Sequence, residues 1–391
     1  MTTIRPGRNE AVVAVVGAGL IGLAIAFELA ERGAAVRVYD RAEPGRAASW
    51  AGAGMLAPYT EGVENESLLA LCAASLAEYP EFVARVRAAG NVDPRLHLDG
   101  VLHAAFGDVA LARLRERAAA LRERGVACAM LGRQETLAAE PWLARNVSGA
   151  ILVRGEGHVD NRRLGRALAA ACEARGAIVT RVGSLAVECD QRRVLGVRTD
   201  LGFAPASAVI NACGAWAGSV AGIPASSLPP VEPVKGQMLA LEAPIGFVRH
   251  PTWVPGAYVV PRDDGRLLVG ATVERGAGAD VRVTADGVHS LLHAVLAAAP
   301  SLAGFTVSET WAGLRPGSVD GLPFIGPTPL EGLFVASGHF RNGILLAPVT
   351  ARLIAQCVAG DVCEDLAPFA LARVAPSFAR AGDGKAEARR E

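Results

Sequence analysis

The chain has no surplus of either charge: its 391 residues include 39 basic and 39 acidic side chains, which cancel. With these in balance, no bulk field favours nucleic acid or an anionic membrane. Its seven cysteines stand singly at 72, 128, 172, 189, 213, 357 and 363, with no Cys-x-x-Cys. That dispersal argues against a disulfide framework or a zinc site and predicts buried thiols in a reducing, cytoplasmic compartment. Internal repeats and low-complexity arrays are absent. Acid–base machinery is absent as well. The histidines are isolated, and Ser49 and Ser337 have no base at a recognisable spacing, which excludes a serine hydrolase. No catalytic side chain and no metal ligand set is expected.

What is present is an ordinary enzyme composition, 51% hydrophobic and 20% charged, long enough for two domains. The most informative stretch is 12–40. An apolar strand over 12–16 runs into Gly17-Ala18-Gly19-Leu20-Ile21-Gly22. A helix follows to Arg32, then Gly33, a second strand over 36–39 and the acid Asp40. Gly17 permits the tight turn, Gly19 lets the backbone approach a pyrophosphate, and Gly22 lets helix and strand pack closely. Free N–H groups at the helix start meet the phosphate charge. Asp40 follows at roughly the 20-residue spacing expected of an acid that accepts from ribose hydroxyls. Residues 11–30 are apolar enough to suggest a signal peptide or a membrane span, but Glu28, Gly33 and the strand beyond argue against both.

Further along, a Gly/Ala/Ser loop covers 45–58. Residues 67–89 have helical spacing, and Pro80 is expected to kink or split that helix. A strand is read at 101–106 and an amphipathic helix at 108–124, with Asp108 as N-cap and Gly125 as stop. A second helix–strand unit starts at Asp160, followed by strands at 184–189, 194–199 and 208–212. From 231 to 272 the pattern turns to short strands punctuated by Pro and Gly, which predicts an antiparallel sheet. A helix at 285–299 is stopped by Pro300. The last unit is a strand over 332–338 followed by HFRNGILLAPVTARLIAQCV, read as a helix. The expected fold is therefore α/β with two domains: a Rossmann-like nucleotide domain assembled from 10–85, 148–225 and 316–375, and an antiparallel-sheet substrate domain from 86–147 and 226–315. Residues 1–9 and 376–391 are expected to be flexible tails.

The segments VGAGLIGLAIAFELAERGAAVRVYD, AGAGMLAP, VINACGAWAG, PVKGQML, YVVPRDDGRLLVGATVE, WAGLRPGSVDGLPFIGP and GHFRNGILLAPVTARLIA resemble the flavin-dependent amine oxidase family. That family includes D-amino-acid oxidase, sarcosine oxidase and glycine oxidase, and the likeness is nearest to its glycine-oxidising branch in thiamine biosynthesis. It spans roughly 11–370. The resemblance implies non-covalent FAD, oxidation of a small primary or secondary amino acid, reoxidation by oxygen to hydrogen peroxide, and a homotetramer. Glycine would give an imine that hydrolyses to glyoxylate and ammonia or feeds thiazole formation. A D-amino-acid or imino-acid dehydrogenase with another electron acceptor is the alternative. No cysteine lies between Cys213 and Cys357, which suits a flavin that is not covalently attached.

The resemblance also implies roles. Arg315 would grip the substrate carboxylate, since a guanidinium fork makes two parallel N–H bonds to it. Tyr258 would bond the same carboxylate, and Arg341, at the start of the final helix, would lie beside flavin and substrate. Gly17, Gly19, Leu20, Ile21, Gly22, Asp40 and Arg41 would hold the nucleotide end of FAD. Ala48, Ser49, Ala53, Gly54 and Met55 would contact it from the loop, and Ser184 would meet adenine through its backbone. A helix N-terminus at His339, Phe340, Arg341, Asn342, Gly343, Ile344 and Leu345 would stabilise charge developing at the flavin N1 and C2 carbonyl. Val273, where a relative has methionine, and Gly256-Ala257 make a smaller wall. One methylene discriminates by only about 1–3 kcal/mol, so sarcosine, N-ethylglycine and D-alanine are expected to enter.

Overall fold

A computed structural model of the chain describes residues 12–361 and 364–374; the expected tails and Cys363 lie outside the described residues. Val13–Val16 is buried at every position, because Val13 and Val15 pack on the helices while Ala14 and Val16 pack on the opposite face with Val187, Val194 and Val197. It pairs in parallel with Val36–Asp40 and with Ala208–Asn211. Ile178–Arg181 extends the sheet beyond the first, and Leu333–Ser337 and then Phe324–Pro327 extend it beyond the second. Only the Phe324–Pro327 pairing is antiparallel in this six-stranded sheet. Helices Leu20–Glu31, Asn161–Ala174 and Ala347–Ala359 pack together against it. Leu20–Glu31 is apolar on nearly all sides, with Leu23, Ala24, Ile25, Ala26 and Phe27 at 0% exposure.

The eight-stranded sheet runs Val307–Ser318, Val231–Glu242, Arg266–Gly270, Ala257–Pro261, Thr252–Val254, Val101–Ala105, Gly149–Val153, Cys128–Gly132. Its pairs are antiparallel except Thr252–Val254 with Val101–Ala105. Gly149–Val153, which the expected boundary at 148 assigns to the nucleotide piece, pairs inside this sheet. One sheet face packs Leu239, Leu241, Val259 and Val269 on helix Ala285–Ala298. The other carries Met238, Tyr258, Val260 and Trp311 toward Ala53.

Four local expectations are corrected. The long helix Glu66–Gly90 runs through Pro80 unbroken. Proline removes one backbone bond there, but Tyr79, Phe82 and Val83 on either side are buried, and that burial outweighs the loss. Asp108 is the first helical residue of Asp108–Glu123; the N-cap is Gly107, whose φ of 86° suits glycine. The segment read as a loop over 45–58 holds Ala48–Ala51 as a short helix and Met55–Leu56 as a strand, and at its last residue it enters the short helix Pro58–Glu61. The final helix begins at Ala347, so Arg341 stands in the turn before it. Glu66–Gly90 is by length and composition the one described helix able to cross a membrane. Here it packs on Asn161–Ala174 and Ala347–Ala359 within the core.

Candidate functional site

The glycine turn is built by exclusion. Gly17 has φ 107°, and a Cβ on it would meet the Ala212 carbonyl oxygen at 2.4 Å. A Cβ on Gly22 would sit 1.9 Å from the Gly17 oxygen. Both positions therefore demand glycine, the first for conformation and closeness, the second for closeness alone. The Ala18 N–H donates to Asp40 Oδ2 at 2.7 Å and the Ala42 N–H to Oδ1 at 2.8 Å. One acceptor site of each Asp40 oxygen is thus spent on fixing the turn. The Leu20 N–H, which a helix start leaves unpaired, donates to Ser49 Oγ at 3.0 Å.

This turn opens on a cavity of about 780 Å³ between the two sheets, within the range of cofactor pockets, roughly 300–1,000 Å³. Of the residues expected at the site, Gly17, Gly19, Leu20, Ile21, Asp40, Arg41, Ala48, Ser49, Ala53, Gly54 and Met55 line one part of the wall. Tyr258, Arg315, His339, Phe340, Arg341, Gly343 and Ile344 line the rest. Gly22, Ser184, Asn342 and Leu345 do not line it; Leu185 beside Ser184 does. Cys213 also lines the wall, its thiol donating to the Val16 carbonyl at 3.4 Å and pushed up to about 12 by burial, so it stays protonated.

The loop across the cavity is anchored from behind. Asn161 Nδ2 donates to the Ser49 carbonyl at 2.7 Å, and buried Arg262 donates through Nη2 to the Ala53 carbonyl at 2.8 Å and to Asn161 Oδ1 at 2.9 Å. Arg162 stacks 3.7 Å over the Trp50 ring and pairs with Glu309. The turn before the final helix is aimed in the same manner. Tyr79 donates its hydroxyl to the Ile344 carbonyl at 3.0 Å, and Ser75 to the Leu345 carbonyl at 2.6 Å. A trans peptide points its C=O and following N–H in opposite directions, so the Leu345 N–H is turned away from the long helix. The N–H groups of Gly343, Ile344 and Leu345 have no acceptor among the described residues. A cradle of unpaired donors before a helix, opposite a glycine turn that admits close approach, fits the isoalloxazine and pyrophosphate of FAD.

Arg315 comes from strand Val307–Ser318 and its guanidinium lies across Gly236 of the neighbouring strand. A Cβ on Gly236 would be 2.2 Å from Nη1. That nitrogen donates to the Thr272 carbonyl at 3.0 Å and the Lys235 carbonyl at 3.4 Å. No carboxylate lies within ion-pair distance of Arg315 among the described residues. Burial disfavours the Arg315 cation and Arg341 repels it, while Tyr258 and Glu61 offset this in part. Tyr258 is equally pinned: a Cβ on Gly270 would meet its hydroxyl at 2.6 Å. Burial raises the Tyr258 pKa, keeping the phenol a donor. Its protein partner is the Met238 sulfur at 4.0 Å. Arg341 lies 5.4 Å from the Trp253 ring and 3.5 Å from Glu61.

Sequence reading missed Glu61, Trp253, Gly236 and Gly270. Glu61 lines the cavity, and burial raises its pKa against the pull of Arg341 and Arg315. It is held there because the Tyr59 and Thr60 N–H groups donate to fully buried Glu156 at 2.5 Å and 3.0 Å. Arg117 donates to the carbonyls of the same two residues. The glycines in PVKGQML and LLVGAT were visible as motif letters, but only the partner strands show what they make room for. His339 is neutral, pushed down to about 3 by burial, with Nε2 3.1 Å from Thr350 Oγ1.

Against known proteins, the chain is 38% identical over 367 residues to a glycine oxidase of Pseudomonas putida, covering 92% of this chain and 97% of that one. It is 35% identical over 354 residues to the bifunctional protein ThiO/ThiG of Synechocystis, covering 88% of this chain and 51% of that protein. Its fold matches the crystal structure of glycine oxidase from Geobacillus kaustophilus with a TM-score of 0.87 and 35% identity, over 93% of this chain and 100% of the other. Residues 13–357 match the DAO family, FAD dependent oxidoreductase. The glycine turn, the cavity and this match over most of its length agree: the chain belongs to the DAO family of FAD-dependent oxidoreductases.

Proposed function

We propose that this enzyme oxidises glycine, and with it sarcosine and D-alanine, to the imine, which hydrolyses to the 2-oxo acid and ammonia (methylamine from sarcosine), with oxygen reduced to hydrogen peroxide. The observation that carries the reading is Arg315: a largely buried guanidinium on the cavity wall, tied to two backbone carbonyls through one nitrogen and lacking a carboxylate. A buried cation calls for an anion, and a guanidinium fork suits the carboxylate of an amino acid. Tyr258 donates its phenol to the same carboxylate, and Arg341 flanks it. Fixing the acid end fixes the Cα–H direction, which is the positional contribution the chain makes to catalysis. Gly17, Gly19, Leu20, Ile21, Gly22, Asp40 and Arg41 hold the nucleotide part of FAD, and Ala48, Ser49, Ala53, Gly54 and Met55 cross it. Leu185, beside Ser184, meets the adenine end, and His339, Phe340, Arg341, Gly343 and Ile344 meet the ring. FAD, when bound non-covalently, supplies the hydride acceptor and the route to oxygen.

The likeness to a ThiO/ThiG protein supports a place in thiamine biosynthesis, where the imine feeds thiazole formation. A cytoplasmic homotetramer follows by resemblance, and sedimentation of the purified enzyme checks the assembly. The direct test is anaerobic addition of glycine to the yellow holoenzyme, then air. The flavin absorbance bleaches and returns with one peroxide per glycine consumed. Bleaching without peroxide assigns a dehydrogenase with another acceptor, and absence of bleaching with all three amines removes the reading.

A further inference from the structure

The two carbonyls that hold Arg315 are themselves fixed from the far side of the sheet. Along strand Val231–Glu242 side chains alternate faces, so Gly236 and Met238 line the cavity while Lys235 and Gln237 turn the other way. Lys235 is 2% exposed, a rare place for an ammonium group. Its Nζ lies 3.3 Å from Glu274 Oε2 and 3.9 Å from Asp280 Oδ2. The other Glu274 oxygen accepts from Gln237 Nε2 at 2.7 Å and from the Thr272 hydroxyl at 2.5 Å. The backbones are laced in the same place. Lys235 N–H donates to the Glu274 carbonyl at 3.0 Å, Glu274 N–H to the Lys235 carbonyl at 2.8 Å, and Gln237 N–H to Thr272 Oγ1 at 2.8 Å. Every hydrogen-bond acceptor that Arg315 has among the described residues, the Lys235 and Thr272 carbonyls, belongs to this patch.

Burying an ammonium group is a poor device for stability alone, since apolar residues of similar volume often do as well or better, and a third of its partner Glu274 is left exposed. Here the ion pair clamps two stretches far apart in the chain whose carbonyls meet at one nitrogen of one guanidinium. We propose that the Lys235–Glu274 pair is a positioning device: it sets the direction in which Arg315 presents its remaining N–H donors to a substrate carboxylate. This role rests on the carboxylate-binding reading of Arg315 given above. Neither Lys235 nor Glu274 lines the cavity, so both act through Arg315.

The test uses the holoenzyme and acetate, which is the acid end of the substrate without its amine, with binding read from the visible flavin spectrum. Lys235→Met and Glu274→Gln are made alone and in an Arg315→Lys background. Each single variant keeps its FAD, while the acetate Kd and the glycine KM rise about tenfold or more, because a displaced positioning group costs up to roughly a hundredfold. In the Arg315→Lys background neither change adds a further rise, since the group they aim is already altered. If Lys235→Met does not fold, Glu274→Gln carries the test, because it retains a hydrogen-bonding side chain beside Thr272 and Gln237. Unchanged Kd and KM in the folded single variants overturn the role, and so does a rise that multiplies fully with Arg315→Lys, the pattern of a merely structural defect. A wild-type enzyme that binds acetate and bleaches with glycine beside unaffected variants overturns this role alone; one that does neither overturns the functional reading as well.

Discussion

On the proposed reading Arg315 grips the substrate carboxylate, and its environment makes two substitutions informative. In Arg315→Ala the cation is gone while the nucleotide cradle, built from other elements, is untouched. Removing one partner of a buried hydrogen-bonded charge pair costs about 2–5 kcal/mol, which is roughly thirtyfold to several thousandfold in kcat/KM. The expected outcome is that loss in glycine turnover with FAD content unchanged, measured by oxygen consumption and flavin absorbance on the same sample. Gly236→Ala attacks the same group without touching it. The added methyl would sit 2.2 Å from Nη1 and 2.4 Å from Nη2, so the guanidinium has to move. Its glycine KM rises while its thermal midpoint stays close to that of the wild type, because the three atoms nearest the methyl all belong to the end of one side chain.

Short elements here do work that their length conceals. Pro58–Glu61 is four residues long, yet it brings Glu61 to the cavity because Glu156 accepts the Tyr59 and Thr60 N–H groups and the Thr60 hydroxyl. In Glu156→Ala those buried donors lose their acceptor at about 1–3 kcal/mol each. The thermal midpoint therefore falls by several degrees, read from the temperature at which flavin fluorescence is released. Gly17→Ala strikes the nucleotide turn: at φ 107°, with the Ala212 oxygen 2.4 Å from the new Cβ, the turn cannot close. That variant purifies without yellow colour. The strand–turn–helix at 13–31 was legible in the sequence because its causes are local, namely apolar runs, glycine spacing and the acid at 40. Pro80 and the start of the final helix misled because tertiary partners decide them. The long helix is kept by what it buries, and 343–346 is held as a turn by Ser75 and Tyr79 on that same helix. Glu61, Gly236 and Gly270 were illegible for the same reason: each acquires meaning only from a residue on another strand or turn. Asp40 lines the cavity, but no spacing could show that the turn itself occupies part of its carboxylate.

For the molecule as a whole, acid sensitivity follows from neutral histidines. Burial pushes His103 down to about 4 and His339 down to about 3 from the ordinary 6.5, and lowers His158 as well. The unfolded chain takes up these protons below about 6.5 and the folded chain does not. Their stabilisation is therefore complete above pH 6.5 and is lost as the pH falls, at a limiting slope of about 1.4 kcal/mol per pH unit for each fully buried histidine. Glu156, raised to about 7 by burial, works in the opposite sense: it binds its proton more readily in the folded state, and favours folding as the pH falls from 7 toward 4.5. The thermal midpoint should fall between pH 6.5 and 4, and more shallowly in His103→Phe. Because His103 is only half-buried, the change in slope there is below the limiting value. The cofactor contributes at this scale too. A ligand bound to the folded state alone stabilises by about 2.7 kcal/mol at a hundredfold excess over its Kd, so stripping FAD lowers the midpoint and adding it back restores it.

The cavity wall draws on residues from Val16 through Ile344. A ribosome releases its product from the first residue onward, so the glycine turn emerges early and stays half a vessel for most of translation. Only when the turn around Gly343 has cleared the exit tunnel can the prosthetic group be enclosed. Until then the basin stays open on one side, and its two halves close on each other only near the end of synthesis.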